Sequence, residues 1–248
     1  MPDHVIVTDE ESIRIIKLRR PEKKNALTQD MYDAMREAID TAQNNPAIRC
    51  VVITGGLGVF TAGNDLEDFQ KAGVGEPRPI SAVRFMYSLV QNAKPLIAAV
   101  DGIAIGIGTT MMFHCDYVVA STAASFSTPF IHLGLVPEGA SSLLAPMTMG
   151  YQRAFAMLLM GRSVSAEEAE QAGFVNIVVA PGHAEVEALK VAREICTLPA
   201  EALATSRKLL RPPPEELLRR IDQESHLFGE RLSSPEAVAA FAAFFARK

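Results

Sequence analysis

Cysteine is scarce in this 248-residue chain, and none of it is paired at a redox or metal-site spacing. Cys50, Cys115 and Cys196 stand far apart in apolar contexts without a CxxC, so no disulfide framework and no zinc site are expected and a reducing cytoplasm is. No run of five or six like charges occurs, and the net charge is -5. That balance argues against a nucleic-acid footprint, which needs clustered Lys and Arg. The one basic concentration is KLRRPEKK, Lys17 to Lys24, which is either solvated surface or a contact for an anionic group such as phosphate. No apolar run reaches the roughly 18 residues needed to span a bilayer. The opening MPDHVIVTDEES lacks a charged-then-apolar leader, and the closing FFARK is not an address of the S-K-L type. A cytoplasmic location, with neither nucleic acid nor membrane as partner, is the expectation.

Familiar chemical signatures are missing too. Five histidines show no HExxH or other ligand spacing, and a Walker A loop is absent. Gly56 and Gly58 begin a GxGxxG after a strand, but Thr61 holds the third glycine position. GASSLL is not a GxSxG elbow, so Ser141 and Ser142 read as helix caps. His132, between Ile131 and Leu133, reads as a satisfied buried side chain.

What is present is a core. Apolar residues make up 48% and charged ones 21%, as in one large soluble domain. HVIVTDEESIRIIKL reads as a hairpin. LTQDMYDAMREAIDTAQNN reads as a helix capped by Thr28, with Met31, Met35, Ala38, Ile39 and Ala42 on one face. CVVITG and PLIAAVDG are continuous apolar strands, as expected where both faces are covered. IAIGIGTTMMFHCD reads as a glycine turn opening a helix, YVVAS as a third strand and FSTPF as a short fourth. The repeated strand, turn and helix gives an α/β class through about residue 140. After Ser141 helical periodicity takes over, interrupted by the strand FVNIVV and broken at LLRPPPEE. Phe241, Phe244 and Phe245 on the last helix imply packing on another subunit or on the chain's own core.

Three glycine-punctuated segments follow strands, where α/β proteins place ligand sites: TGGLGVFTAGNDLEDF, DGIAIGIGTTMMF and GLVPEGASSLL. Gly63, Gly106 and Gly108 free backbone N–H groups to approach a ligand. Glu138 is a carboxylate in apolar surroundings, and two readings stay open. Burial would suit it to act as a base, while Pro137 marks a helix start, where the macrodipole favours an acid.

Taken together, the segments resemble the crotonase superfamily of enoyl-CoA hydratases and isomerases almost end to end. LRRPEKKNALT resembles its early CoA-binding loop and VFTAGNDLEDF its FxAGxDLxxF segment. AAVDGIAIGIGTTMMFHCDYVVAS, AEEAEQAGFVNIVV and LPAEALATSRKLL resemble the later signatures. The resemblance implies a spiral of repeated ββα units over residues 1–195 and a C-terminal helical trimerisation region over 196–248. It implies acyl-CoA chemistry through an enolate, with the Asn64 and Ile107 N–H groups on the thioester oxygen. The two glutamates of a typical hydratase fall at Thr110 and Phe130, neither of them a base. PFIHLGLVPEGASS resembles instead the peroxisomal-type delta(3),delta(2)-enoyl-CoA isomerases, whose single base falls at Glu138. By position Lys23, Lys24, Ala26, Thr61, Ala62, Gly63, Asp65 and Leu66 line the CoA and pantetheine path. Phe130, Leu133, Leu135 and the helix around Met111 and Met112 wall the acyl pocket, and Gly106 and Thr110 also contact the substrate. The family implies no cofactor beyond the CoA of the substrate, no metal, and a homotrimer or dimer of trimers. An enoyl-CoA hydratase or another crotonase-type acyl-CoA lyase is the alternative, and after it a non-catalytic acyl-CoA-binding protein.

Overall fold

A computed structural model describes residues 4–56, 58–67 and 80–246. The DF end of VFTAGNDLEDF lies outside them. Strands β1 (Val5–Glu10) and β2 (Ile13–Leu18) form the expected antiparallel hairpin. From β2 the sheet continues in parallel through β3 (Cys50–Thr54), β5 (Leu96–Val100), β7 (Tyr117–Ser121) and β10 (Ile177–Val179), in the order β1-β2-β3-β5-β7-β10. Every residue of β3 and β5 is buried, which explains their unbroken apolar sequence. Side chains alternate between two separate cores. Val51 and Ile53 join the larger one with α1 (Gln29–Asn44) and α2 (Ile80–Gln91). Cys50 and Val52 join a smaller one under Ala184, Ala188 and Ala192 of α7 (Ala184–Thr197).

A second sheet accompanies the first. Its strands β4 (Val59–Thr61), β6 (Ile103–Ile105) and β8 (Ser125–Ser127) run parallel, with β9 (Val164–Ser165) antiparallel beside β8. Each pass of the chain places one strand in each sheet, β3 then β4, β5 then β6, β7 then β8. That advance is the spiral of ββα units. IAIGIGTTMMFHCD departs from the single helix expected, because it supplies β6, a four-residue α3 (Ile107–Thr110) and a 3-10 turn over Met111–His114. The helix is curtailed because the chain must re-enter the first sheet at Tyr117. Asp116 is fixed there by the Leu96 N–H and the Arg207 guanidinium, both at 2.8 Å.

Six helices follow α3 along the chain besides α7: α4 (Ser141–Met149), α5 (Tyr151–Leu158), α6 (Ala166–Ala172), α8 (Ala200–Leu210), α9 (Pro214–Leu232) and α10 (Pro235–Phe245). The break at LLRPPPEE separates α8 from α9 as expected. Arg207 anchors α8 to the core through Asp116 and the Asn92 carbonyl at 2.6 Å. The last helix packs on its own chain: Ala237 is buried and Phe241 is half-buried against the large core, while Phe244 stays 40% exposed. No helix among the described residues is long and apolar enough to cross a membrane.

Candidate active site

One cleft of about 730 Å³ opens where the loop after β4 meets the turn after β6. Its floor is made by stitching distant segments together. The Ala62 N–H bonds the Lys24 carbonyl at 2.9 Å, the Leu27 N–H bonds Gly63 O at 2.8 Å, and the Asp65 N–H bonds Leu27 O at 2.9 Å. These bonds bring Lys23, Lys24 and Ala26 alongside Ala62, Gly63 and Asn64 on the cleft wall, and Asp65 and Leu66 follow. Two residues that sequence reasoning did not single out hold this arrangement. Asn25 is buried and donates to the carbonyls of Gly55, Val59 and Phe60 at 3.0 to 3.2 Å. Arg20 reaches Asp65 at 2.6 Å. Thr61 stands behind the wall rather than on it, fully buried, donating to Asn25 O at 2.6 Å and accepting from the Gly63 N–H at 3.0 Å. Lys23 pairs with Glu67 at 2.7 Å at the exposed rim.

The cleft is also lined by Gly106, Phe130 and Leu133, and by Phe241 and Phe244 of α10. Phe130 meets Phe228 of α9 edge to face, centroids 6.5 Å apart. His132 corrects the sequence reading, because it is exposed and lines the cleft. Its apolar neighbours Ile131 and Leu133 occupy a single 3-10 turn at the surface, where flanking residues do not imply burial.

Asn64 lines the cleft, and Ile107 is buried directly after the lining residue Gly106. The backbone bonds flanking Asn64 both engage Leu27, which directs the Asn64 N–H away from that segment. Its side-chain Oδ1 accepts the Tyr32 hydroxyl at 2.5 Å, an anchor not singled out from the sequence. Ile107 is the first residue of α3, and the Thr109 and Thr110 amides close the turn onto Gly106 O at 2.9 Å each. The first amide of a helix has no intrahelical acceptor, so it is available to an anionic oxygen.

Glu138 is 1% exposed and is not among the residues that line the open cleft. Thr110 is fully buried and donates its hydroxyl to Glu138 Oε1 at 2.6 Å; it therefore contacts Glu138 rather than the open cleft. The helix-start reading is corrected. Helix α4 begins at Ser141, and its N-cap is Ala140, in left-handed backbone at φ 58, so Pro137 and Glu138 precede the helix. Nor do the serines cap it. Ser141 Oγ has no hydrogen-bond partner among the described residues, and Ser142 Oγ donates to Glu224 of α9 at 2.5 Å. Glu224 also accepts the Ala140 N–H at 2.6 Å and the Ser142 N–H at 3.0 Å. The cap thus arrives from a remote helix. A signal for it existed: Leu217, Ile221, Glu224 and Phe228 share one buried stripe of α9, so the carboxylate sits at a core position of the heptad-like pattern.

Glu224 is 5% exposed. Burial raises its pKa above the ordinary carboxylate value, and the nearby charge of Glu138 adds to this, while bonds from Ser142 and Ala140 oppose it. Glu138 is therefore not the sole acid in the region. Burial also drives His114 down to about 4, against the bond it makes to Gly139 O at 2.7 Å. The ring is neutral at pH 7 and donates from Nε2 to that carbonyl. Between pH 6.5 and about 4 the unfolded chain binds a proton there that the folded chain refuses, so stability falls as pH falls. The cost is of order 3 kcal/mol at the acid end. Urea titrations at pH 7 and pH 4.5 should show a loss that His114→Gln largely removes; equal pH sensitivity in both proteins would contradict it. Among the described residues no three His, Cys, Asp or Glu side chains are grouped to hold a metal.

A two-sheet ββα spiral with glycine-turn amides beside one cleft defines a crotonase fold. The structure of Pseudomonas aeruginosa OdaA is similar to this one, with a TM-score of 0.94 at 40% identity, covering 98% of each chain. An enoyl-CoA hydratase/isomerase from Pseudoalteromonas atlantica T6c gives 0.93 at 37% identity, covering 99% of this chain and 98% of its own. The enoyl-CoA hydratase/isomerase family model matches residues 8–247, and the chain belongs to that family, whose members are enzymes of acyl-CoA thioesters. Enoyl-CoA delta isomerase 2 of Rattus norvegicus is 34% identical over 250 residues, 98% of this chain and 64% of its own length. The chain thus spans under two thirds of that relative. The 1,2-epoxyphenylacetyl-CoA isomerase of Escherichia coli K12 is 31% identical over 98% of this chain and 97% of its own.

Proposed function

We propose that the protein is an enoyl-CoA isomerase that converts 3-enoyl-CoA to 2-trans-enoyl-CoA, a β-oxidation intermediate. The observation that carries this reading is the 2.6 Å bond from Thr110 to Glu138. At the position where the resemblance puts a hydratase glutamate, a neutral hydroxyl orients the Glu138 carboxylate instead. One base suffices for a 1,3-proton shift, whereas hydration of a double bond needs water both activated and protonated. Likeness to a protein named as a delta isomerase supports the same choice.

In this mechanism Glu138 removes a C2 proton. The negative charge that develops on the thioester oxygen is met by the Asn64 and Ile107 N–H groups, each such donor contributing roughly 3 to 4 kcal/mol in a dry site. Glu138 then returns the proton to C4, and the double bond ends conjugated with the carbonyl. The shift is redox-neutral, so no cofactor beyond the substrate's CoA is required. Lys24 and Lys23 at the rim suit the CoA phosphates, and Phe130 and Leu133 the acyl chain. Assembly as a trimer or paired trimers belongs to the same reading.

The test is direct. The purified protein is incubated with 3-enoyl-CoA and separately with 2-enoyl-CoA. Formation of the conjugated product from the first, with little hydration of the second, is expected. Hydration without isomerisation would overturn the proposal in favour of a hydratase.

A further inference from the structure

We propose that Glu224 is a positioning residue for Glu138: from α9 it grips the left-handed turn that presents the base, coupling proton transfer to the docking of the C-terminal helices. The inference rests on Glu138 being the base. Gly139 and Ala140 take consecutive positive φ angles, 68° and 58°. Glycine adopts that conformation freely and alanine does not, so the turn needs outside support. Glu224 supplies it through both carboxylate oxygens, Oε2 on the Ala140 N–H at 2.6 Å and Oε1 on the N–H and hydroxyl of Ser142 at 3.0 and 2.5 Å. Arg220, one turn earlier in α9, adds a bond to Ser142 Oγ at 3.2 Å.

The opposite side of the turn is held as firmly. His114 donates to Gly139 O at 2.7 Å, and Thr110 donates to Glu138 itself at 2.6 Å. The backbone carrying Glu138 is therefore clamped between the α3 region on one side and α9 on the other. Loosening the α9 side shifts the carboxylate relative to C2 and C4 without touching the CoA path at Lys23, Lys24 and Ala62.

Glu224→Gln keeps the side chain's shape but sets an amide N–H₂ against a backbone N–H. Its kcat for isomerisation should fall about 10- to 100-fold, the penalty of a displaced reacting group, with KM for the acyl-CoA within about twofold of wild type. Ser142→Ala removes one of the gripping donors and should lower kcat about 3- to 10-fold, again at constant KM. A defect confined to folding would lower the amount of active enzyme in proportion to the folded fraction, so kcat is normalised to folded protein measured by circular dichroism. Wild-type kcat in Glu224→Gln overturns the proposal; if that variant does not fold, wild-type kcat in Ser142→Ala does so. A wild-type enzyme that fails to isomerise 3-enoyl-CoA overturns the assignment of Glu138 instead, a result separate from loss of the Glu224 effect.

Discussion

Glu138→Gln is expected to lower kcat for 3-enoyl-CoA isomerisation on the order of 10⁴-fold, the upper range for loss of a general base, while acyl-CoA binding survives. The size follows from the site. Glutamine has the volume of glutamate and its carbonyl oxygen can accept the Thr110 hydroxyl that now bonds Oε1 at 2.6 Å, so the wall keeps its shape. What disappears is the capacity to take a proton, and a 10⁴-fold fall corresponds to about 5 kcal/mol in the barrier. Stability should change little, because glutamine matches glutamate in size and its carbonyl oxygen can keep the bond from Thr110. Steady-state kinetics on 3-enoyl-CoA and calorimetric titration with a saturated acyl-CoA measure the two halves of this expectation. Activity above about one hundredth of wild type would place the base elsewhere, with Glu224 as the next carboxylate to replace.

The fold was legible where sequence period reports burial. Unbroken apolar runs such as CVVITG mark strands covered on both faces, and every residue of β3 is buried. Thr28 was legible as a cap because the capping bond is local, from the Met31 N–H. The helix expected after Gly106 was not legible as a short one, because its length is set by where Asp116 must meet Leu96 and Arg207. That is a tertiary constraint.

Local logic failed in the same way at the start of α4. A serine beside the first apolar residue is the usual cap, yet the donors there are satisfied by Glu224, 82 residues beyond Ser142. Position in the family pattern brought Asn64, Ile107 and Glu138 forward, but it says nothing of what holds them. Tyr32 on Asn64, Thr110 on Glu138 and Glu224 on the following turn are contacts between segments far apart in sequence. Only the folded chain assembles them. His132 shows the converse error, since two apolar neighbours in a surface turn mimic a core signature.

Gly63→Ala is expected to lower kcat by about 10²- to 10³-fold, the cost of misplacing one oxyanion donor. Gly63 has φ +84, and a Cβ there would lie 2.7 Å from the backbone oxygen of Ile105. That oxygen belongs to β6, so it has no flexible end to swing aside. The loop is also tied on both sides, by the Gly63 N–H to Thr61 Oγ1 at 3.0 Å and by Gly63 O to the Leu27 N–H at 2.8 Å. An added methyl therefore pushes Asn64 away from β6, and with it the amide that the proposed mechanism pairs with that of Ile107 on the thioester oxygen. Backbone strain alone costs about 1 to 3 kcal/mol of stability, so a control must separate strain from displacement. Gly58 provides it, with φ +79 but no atom of the described residues within 4 Å of its Cβ position. Gly58→Ala should lose comparable stability on chemical denaturation yet keep kcat within about threefold. Equal kcat losses in the two variants would mean that strain, not the spacing of the two amides, limits the reaction. A Gly63→Ala enzyme with wild-type kcat would remove the Asn64 amide from the mechanism, leaving the charge to the α3 terminus at Ile107.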